Sequence, residues 1–432
     1  MSTFYIILYL LLWVVTLLVY RRRGQERDAG WLIIVSYIGY AVFSLILFRH
    51  ADGEYYVFLP MRLWPFVYLY CMLLLALWPL IRFHKSNVTT IIEPKMWILN
   101  TLSVIIIVSA LACIPTLLKH LQDGSFLRLL QDSSAGQELY SEALAESEEA
   151  GSGISNIPSI LLNALSDLAL LLFFYYLTLK QRHPFLIAGL SIAIGIVLLT
   201  PILSGQRSNT VTTLLTFIGA YFLLRRYLGE RLRRWVNILG LGLILVLSIP
   251  LAAITLSRFD QRQGGAVGSV VYYIGQANLN FNNYGLDAGG IRHGDRTINL
   301  LKRVIDPYKT PKNFQERRDK YPDLKMDDNV FYTFVGDFTL DFGPWKTVLI
   351  FLIFNMLVVI ATRSRTDDQG KASLAFHQLL LLYMVTCIAM QGGFWLFGYA
   401  DTAGLRLIAL LMLYGATCIT HTTKITQTTK TT

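Results

Sequence analysis

The sequence predicts an all-α, polytopic integral membrane protein of about eleven transmembrane helices with one large outer loop. Three observations lead there. The 432 residues are 54% hydrophobic and only 15% charged, well beyond the apolar share of a soluble domain. The apolar residues gather into runs long enough to cross a bilayer. The Lys and Arg residues crowd into every second short loop, the pattern that sets membrane orientation. A formal net charge of +10 would otherwise suggest a polyanionic partner such as nucleic acid, but basic residues in short loops beside apolar runs are orientation signals, so no nucleic acid is expected.

The first run, Phe4 to Tyr20, has no positive region before it and no small-residue cleavage site, and Arg21, Arg22 and Arg23 follow it. It reads as a retained span and not a signal peptide. The next three spans are Trp31 to Phe48, Met61 to Ile81 and Trp97 to Leu118. Ile157 to Leu179, Pro184 to Leu203 and Thr210 to Leu224 follow after a long break. Trp235 to Thr255, Thr347 to Thr362, Ser373 to Met390 and Ala403 to Thr420 complete the series. Basic loops after the first, third, fifth, seventh and ninth spans mark the cytoplasmic face. This puts the N-terminus outside and the C-terminus in the cytoplasm. Cys71, Cys113, Cys387 and Cys418 all lie inside apolar runs, where thiols behave as small hydrophobes, and are expected to be free.

The whole chain, residues 1–432, is expected to form a single polytopic membrane domain with two long outer segments. Residues 119–156 carry Glu138, Glu142, Glu146, Glu148 and Glu149, with helical apolar spacing around Phe126 to Leu130, and read as an interfacial helix followed by a flexible linker. Residues 256–346 hold thirteen Lys and Arg residues and are long for a bare connection, which argues for a functional element that binds an anion. The chain shows no inverted pair of Gly/Pro-broken spans of the transporter kind.

Candidate chemistry centres on arginine, whose planar fork grips a phosphate through two bonds. Arg207 sits in a very short turn after Pro201, placed either to snorkel to the headgroups or to hold an anion at the outer mouth. Arg258 and Arg262 share a helical face, and Arg292 and Arg296 flank His293 among glycines. Asp337 and Asp341 are also four apart, suited to general-base work or to pairing with the arginines. Asp167 falls mid-span, where a carboxylate costs about 2.5–3.5 kcal/mol to insert, and Arg406 is its natural partner by depth. No spacing of His, Cys and carboxylates suggests a transition-metal site.

The C-terminal half resembles the membrane oligosaccharide repeat-unit polymerases (Wzy-type O-antigen and capsule polymerases). The resemblance rests on Ser204-Gly205-Gln206-Arg207 at a span end and on Tyr272-Tyr273-Ile274-Gly275 in the large loop. Asn329-Val330-Phe331-Tyr332-Thr333 and Asp341-Phe342-Gly343 before the next span complete it. Gly219 departs from the family, falling one position later than the Arg–Gly spacing described for some members. The resemblance implies a multi-pass enzyme of the bacterial inner membrane. Such an enzyme joins polyprenyl-diphosphate-linked oligosaccharide repeat units on the outer leaflet, building O-antigen (the lipopolysaccharide glycan) or capsule. Its partners are that lipid-linked oligosaccharide, membrane lipid and a chain-length regulator protein. It needs no cofactor, since the diphosphate is already a leaving group. Arg207, Arg258, Arg262, Arg292 and Arg296 are the expected diphosphate ligands, and Asp337 or Asp341 the base or an arginine-orienting group. A ligase of the same fold and a lipid-linked sugar transporter are the alternatives.

Overall fold

The computed structural model describes residues 1–22, 27–50, 58–83, 88–122, 139, 157–181, 183–259, 265–327, 330–363, 365–366, 372–393 and 404–430. The expected interfacial helix around Phe126 and the acidic residues beyond it lie outside the described residues, as does Arg262. The described residues are helical but for short strands, and among them eight helices are long and apolar enough to cross a membrane. It is a multi-pass membrane protein. The expected spans fall on helices, except that Trp97 to Leu118 is divided between Met96–Ala112 and Ile114–Gln122, and Ser373 to Met390 begins on a short strand, Ala372–Ala375, before Phe376–Gly392. Ser208–Leu224, Phe376–Gly392 and the apolar part of the last helix, Gly404–Thr420, are shorter than those eight.

The described residues fall into two compact units. The first unit takes residues 1–89, 268–374 and 378–408. Its apolar frame is α1 (Ser2–Arg22), α2 (Ala29–His50), α3 (Leu63–Phe83) and a later span, Pro344–Ala361. Helices in lipid gain little from the hydrophobic effect when they meet, so packing and interhelical hydrogen bonds hold them together. Trp13 accordingly stacks on Tyr37 at 4.9 Å and meets Tyr70 edge-on at 5.2 Å. Ser44 donates to the Gly275 carbonyl at 2.7 Å, and Asn278 links Ser44 (3.0 Å) to Tyr9 (3.3 Å). Gly275 is required at this crossing, because a Cβ there would stand 2.5 Å from the Phe43 carbonyl oxygen.

The second unit takes residues 90–267, 375–377 and 409–432. It contains α4 (Met96–Ala112), α5 (Ile114–Gln122), α6 (Ile157–Thr178), α7 (Pro184–Leu203), α8 (Ser208–Leu224) and α9 (Glu230–Phe259). Tyr176 donates to Asn100 at 2.8 Å to join α6 to α4, and Phe174 packs on Phe217 of α8 at 4.9 Å. Trp235, Ile238, Leu239, Leu241 and Val246 of α9 are exposed large hydrophobics, the surface that lipid covers in a spanning helix.

The large loop is itself largely helical. It forms α10 (Gly265–Asn280), which enters the first unit at Gly268, a π-turn over Phe281–Gly285, and α11 (Asn299–Ile305). It continues into α12 (Phe314–Lys320) and α13 (Thr333–Phe342). Gly343, at a positive φ of 82°, ends α13, and Pro344 opens α14 (Pro344–Ala361) at a position that needs no amide hydrogen. Three short strands, β1 (Val88–Ile92), β2 (Arg365–Thr366) and β3 (Ala372–Ala375), form a sheet in the order β1-β3-β2 with β2 and β3 antiparallel, and α15 (Phe376–Gly392) and α16 (Gly404–Lys430) follow.

Candidate functional site: a basic cavity over a buried Arg–Asp cluster

Asp337 and Asp341 lie one turn apart on α13, and both are fully buried. Phe334 and Phe338 hold the helix against Phe351 of α14 at 5.9 and 5.3 Å. The shared aspartate face receives Arg292, whose amide donates to the Leu340 carbonyl at 2.9 Å, so the loop backbone itself sets the guanidinium in place. The Arg292 Nε is 2.8 Å from Asp341 Oδ1, and its Nη2 is 3.4 Å from Asp337 Oδ1. Asp341 Oδ2 also accepts from the Thr297 amide (2.6 Å), the Thr297 hydroxyl (2.8 Å) and the Arg296 amide (3.2 Å). Arg292 thus meets both aspartates through its side chain, and Arg296 meets Asp341 through its backbone amide.

Two non-glycine residues with positive φ flank this cluster. His293 follows Arg292 at φ 54°, and Thr333 opens α13 at φ 66°. For a β-branched residue this region is strained, and such strain persists only where surrounding structure enforces it. The enforcement is visible at Phe331: Asn280 donates to its carbonyl at 3.1 Å, and Gln276 accepts from its amide at 3.4 Å.

Above the cluster opens a cavity of about 300 Å³ lined by Arg292, Arg317, Arg318, Tyr321, Lys325 and Asp327 among others. Four of those side chains are cationic and one is a carboxylate. Arg292 and Arg317 are each only 2% exposed. Arg317 reaches this position because α12 is set by Asn313, whose side chain caps the Glu316 amide at 2.9 Å while Glu316 accepts from the Lys312 amide at 2.7 Å. Tyr321 stands at the wall with its hydroxyl 2.8 Å from Asp295. Asp295, fully buried, also takes Lys320 (2.6 Å) and Lys302. Burial pushes the Asp295 carboxyl up, but hydrogen bonds from Lys302, Lys320 and Tyr321 outweigh it and hold it below its ordinary value. Burial, and then the bond to Asp295, raises the Tyr321 phenol.

The remaining expected site residues fall elsewhere. Arg207 belongs to the second unit, in the tight α7–α8 turn made by Gly205 at φ 63°, and donates to the Thr255 hydroxyl at 3.1 Å. Arg258 is on the last turn of α9. Asp167 is buried in α6 and Arg406 is half-buried in α16, and the two fall in different units. His293 is exposed. Arg317, Arg318, Tyr321, Lys325 and Asp295 carry no signal of a role in the linear sequence. The Asn313-to-Glu316 capping pattern marks the start of α12, but nothing in linear spacing shows that Arg317 turns inward beside a residue 25 positions earlier.

Comparison with family models, curated proteins and solved structures returned no match in any of the three.

Proposed function

We propose that the protein is a glycosyltransferase that polymerises polyprenyl-diphosphate-linked oligosaccharide repeat units on the outer leaflet of the bacterial inner membrane. The observation that carries this reading is the basic cavity, with two almost fully buried guanidinium groups. Asp337 and Asp341 hold the Arg292 guanidinium in place at the floor of the cavity. A diphosphate suits the rest of the cavity, since its oxygens match the forks of Arg317 and Arg318 and the point charge of Lys325. In this proposal the chain crosses the membrane eleven times, with the N-terminus and the 256–346 segment outside and the C-terminus in the cytoplasm.

In the reaction the acceptor sugar hydroxyl attacks the anomeric carbon of the donor glycan, the bond from that carbon to the diphosphate oxygen breaks, and the hydroxyl proton passes to a base or to the departing diphosphate. Negative charge grows on the leaving oxygens, where fixed cations in a water-poor cavity stabilise it most. Arg292, Arg317, Arg318 and Lys325 take that role, and Arg296, whose amide donates to Asp341, is proposed as a further ligand. Asp341, already accepting three hydrogen bonds beside its ion pair, acts as an arginine-positioning residue, as does Asp337. Arg207 and Arg258, in the other unit, are proposed as a second basic set, with Arg262 following in the sequence.

The test is glycan length on a gel together with the lipid-linked repeat unit. Arg317→Ala is expected to leave the repeat unit made, exported and unpolymerised at unchanged protein abundance, and Arg317→Lys to restore little, because an ammonium cannot replace the fork. Full-length glycan from Arg317→Ala at normal abundance would falsify this assignment of the cavity.

A further inference from the structure

The short helix α11 turns its apolar face away from the protein. Leu301, Val304 and Ile305 share one face at i, i+3 and i+4, and are 57%, 79% and 83% exposed; Tyr308 just beyond is 98% exposed. A helix on a water-washed surface does the reverse, burying its apolar stripe against the core. Here the inward attachments are polar. Buried Asn299 donates from Nδ2 to the carbonyls of Asp295 (2.9 Å) and Pro311 (2.8 Å), and Lys302 reaches Asp295. Thr310 closes the turn on the Asp306 carbonyl at 2.7 Å. The apolar face is thus held outward by a rigid polar mount.

With Lys302 turned inward onto Asp295, the cations beside that face are Arg303, Lys309 and Lys312, which outnumber the carboxylates of Asp306, 3.8 Å from Lys309, and Glu316, which accepts from the Lys312 amide. An exposed apolar patch rimmed by polar residues marks a docking surface, and cations around it select a negative one. A second copy of the same face would bring like charge and is disfavoured. An anionic bilayer surface fits both parts, apolar depth and positive rim, and a multi-pass protein always has one beside it.

We propose that Asn299–Ile305 with Tyr308 is a membrane-interface anchor that inserts Leu301, Val304, Ile305 and Tyr308 among the headgroups and upper acyl chains of an anionic phospholipid leaflet. The anchor fixes the height of the basic cavity above the lipid, since Asp295 and Lys302 join the two. This placement does not depend on the polymerase reading.

The probe is a nitroxide on Ile305→Cys in full-length protein whose four native cysteines are replaced by serine. A second label on Gln315→Cys, an exposed polar position, is the reference. In vesicles of phosphatidylethanolamine and phosphatidylglycerol, the ratio of oxygen to nickel-chelate accessibility should be several-fold higher at position 305 than at 315. It should fall when phosphatidylcholine replaces the anionic lipid. Equal ratios at the two positions would overturn the anchor. So would protection of position 305 from both reagents, since that means a protein covers it. If the cysteine-free chain does not fold, benzoylphenylalanine at position 305 of the otherwise native chain gives the same decision: a phospholipid adduct supports insertion, and a protein adduct or none refutes it.

Discussion

Arg292 ties the stability of the fold to the proposed site. Its guanidinium is buried with two carboxylates, and removing either side of such a group leaves an uncompensated charge that costs about 3–5 kcal/mol. Arg292→Ala and Asp341→Asn should therefore both lower the unfolding temperature in detergent sharply. The double substitution should cost less than the sum of the two, and additive losses would mean that the ion pair is not the interaction being removed. Asp295 makes a separate claim about pH. Its folded-state pKa lies below the ordinary 3.8, so the stability it contributes is complete above that value and is lost as pH falls through the depressed folded value. An acid unfolding profile should steepen below pH 3.8 in the native protein and lose that component in Asp295→Asn. An unchanged profile would show that Lys302, Lys320 and Tyr321 do not stabilise the carboxylate.

At the scale of elements, the junctions that shape the site use ordinary helix chemistry in tight quarters. Asn313 and Glu316 start α12, and Gly343-Pro344 breaks α13 from α14, so each helix direction is set within a few residues. Helix crossings depend on what touches across them. Gly275 packs its bare Cα against the Phe43 carbonyl, and Gly275→Ala should destabilise the protein by about 1–3 kcal/mol through forced separation of the two helices. Gly39 is the control, because a Cβ there meets nothing within 4 Å. Gly39→Ala should be neutral or mildly stabilising, as alanine is the better helix former. Thermal unfolding of the two variants side by side reads the difference, and equal effects would refute the close approach.

On the scale of the whole molecule, the chain divides its candidate chemistry between two compact units. Arg292, Arg296, Asp337 and Asp341 belong to the first, and Arg207 and Arg258 to the second. Placing the cavity outside the cell rests on topology, which is open to direct measurement. Reporter fusions at Gly264, Gly370 and the C-terminus should give an exported signal at the first and cytoplasmic signals at the other two. An exported signal at Gly370 would reverse the loop and remove the case for chemistry on the outer leaflet.

Hydropathy and charge alternation are local properties, so the helical character and the approximate span positions could be read from the sequence alone. The same holds for the i, i+4 relation of Asp337 and Asp341 and for the short turn at Arg207, since both depend only on residues near each other in the chain. Burial is not local. Whether a charged side chain faces lipid, water or a counter-charge depends on which distant segment packs against it. Arg317 and Arg318 are adjacent in sequence, yet the first is buried in the cavity and the second is an exposed wall residue. Leu301, Val304 and Ile305 have the spacing of a core-facing stripe, and only the polar mount of Asn299 turns them outward. The sequence by itself determined a multi-pass helical protein rich in loop arginines. The tertiary structure decided which arginines meet over Asp337 and Asp341, because that choice is made by long-range packing and the cost of burying charge.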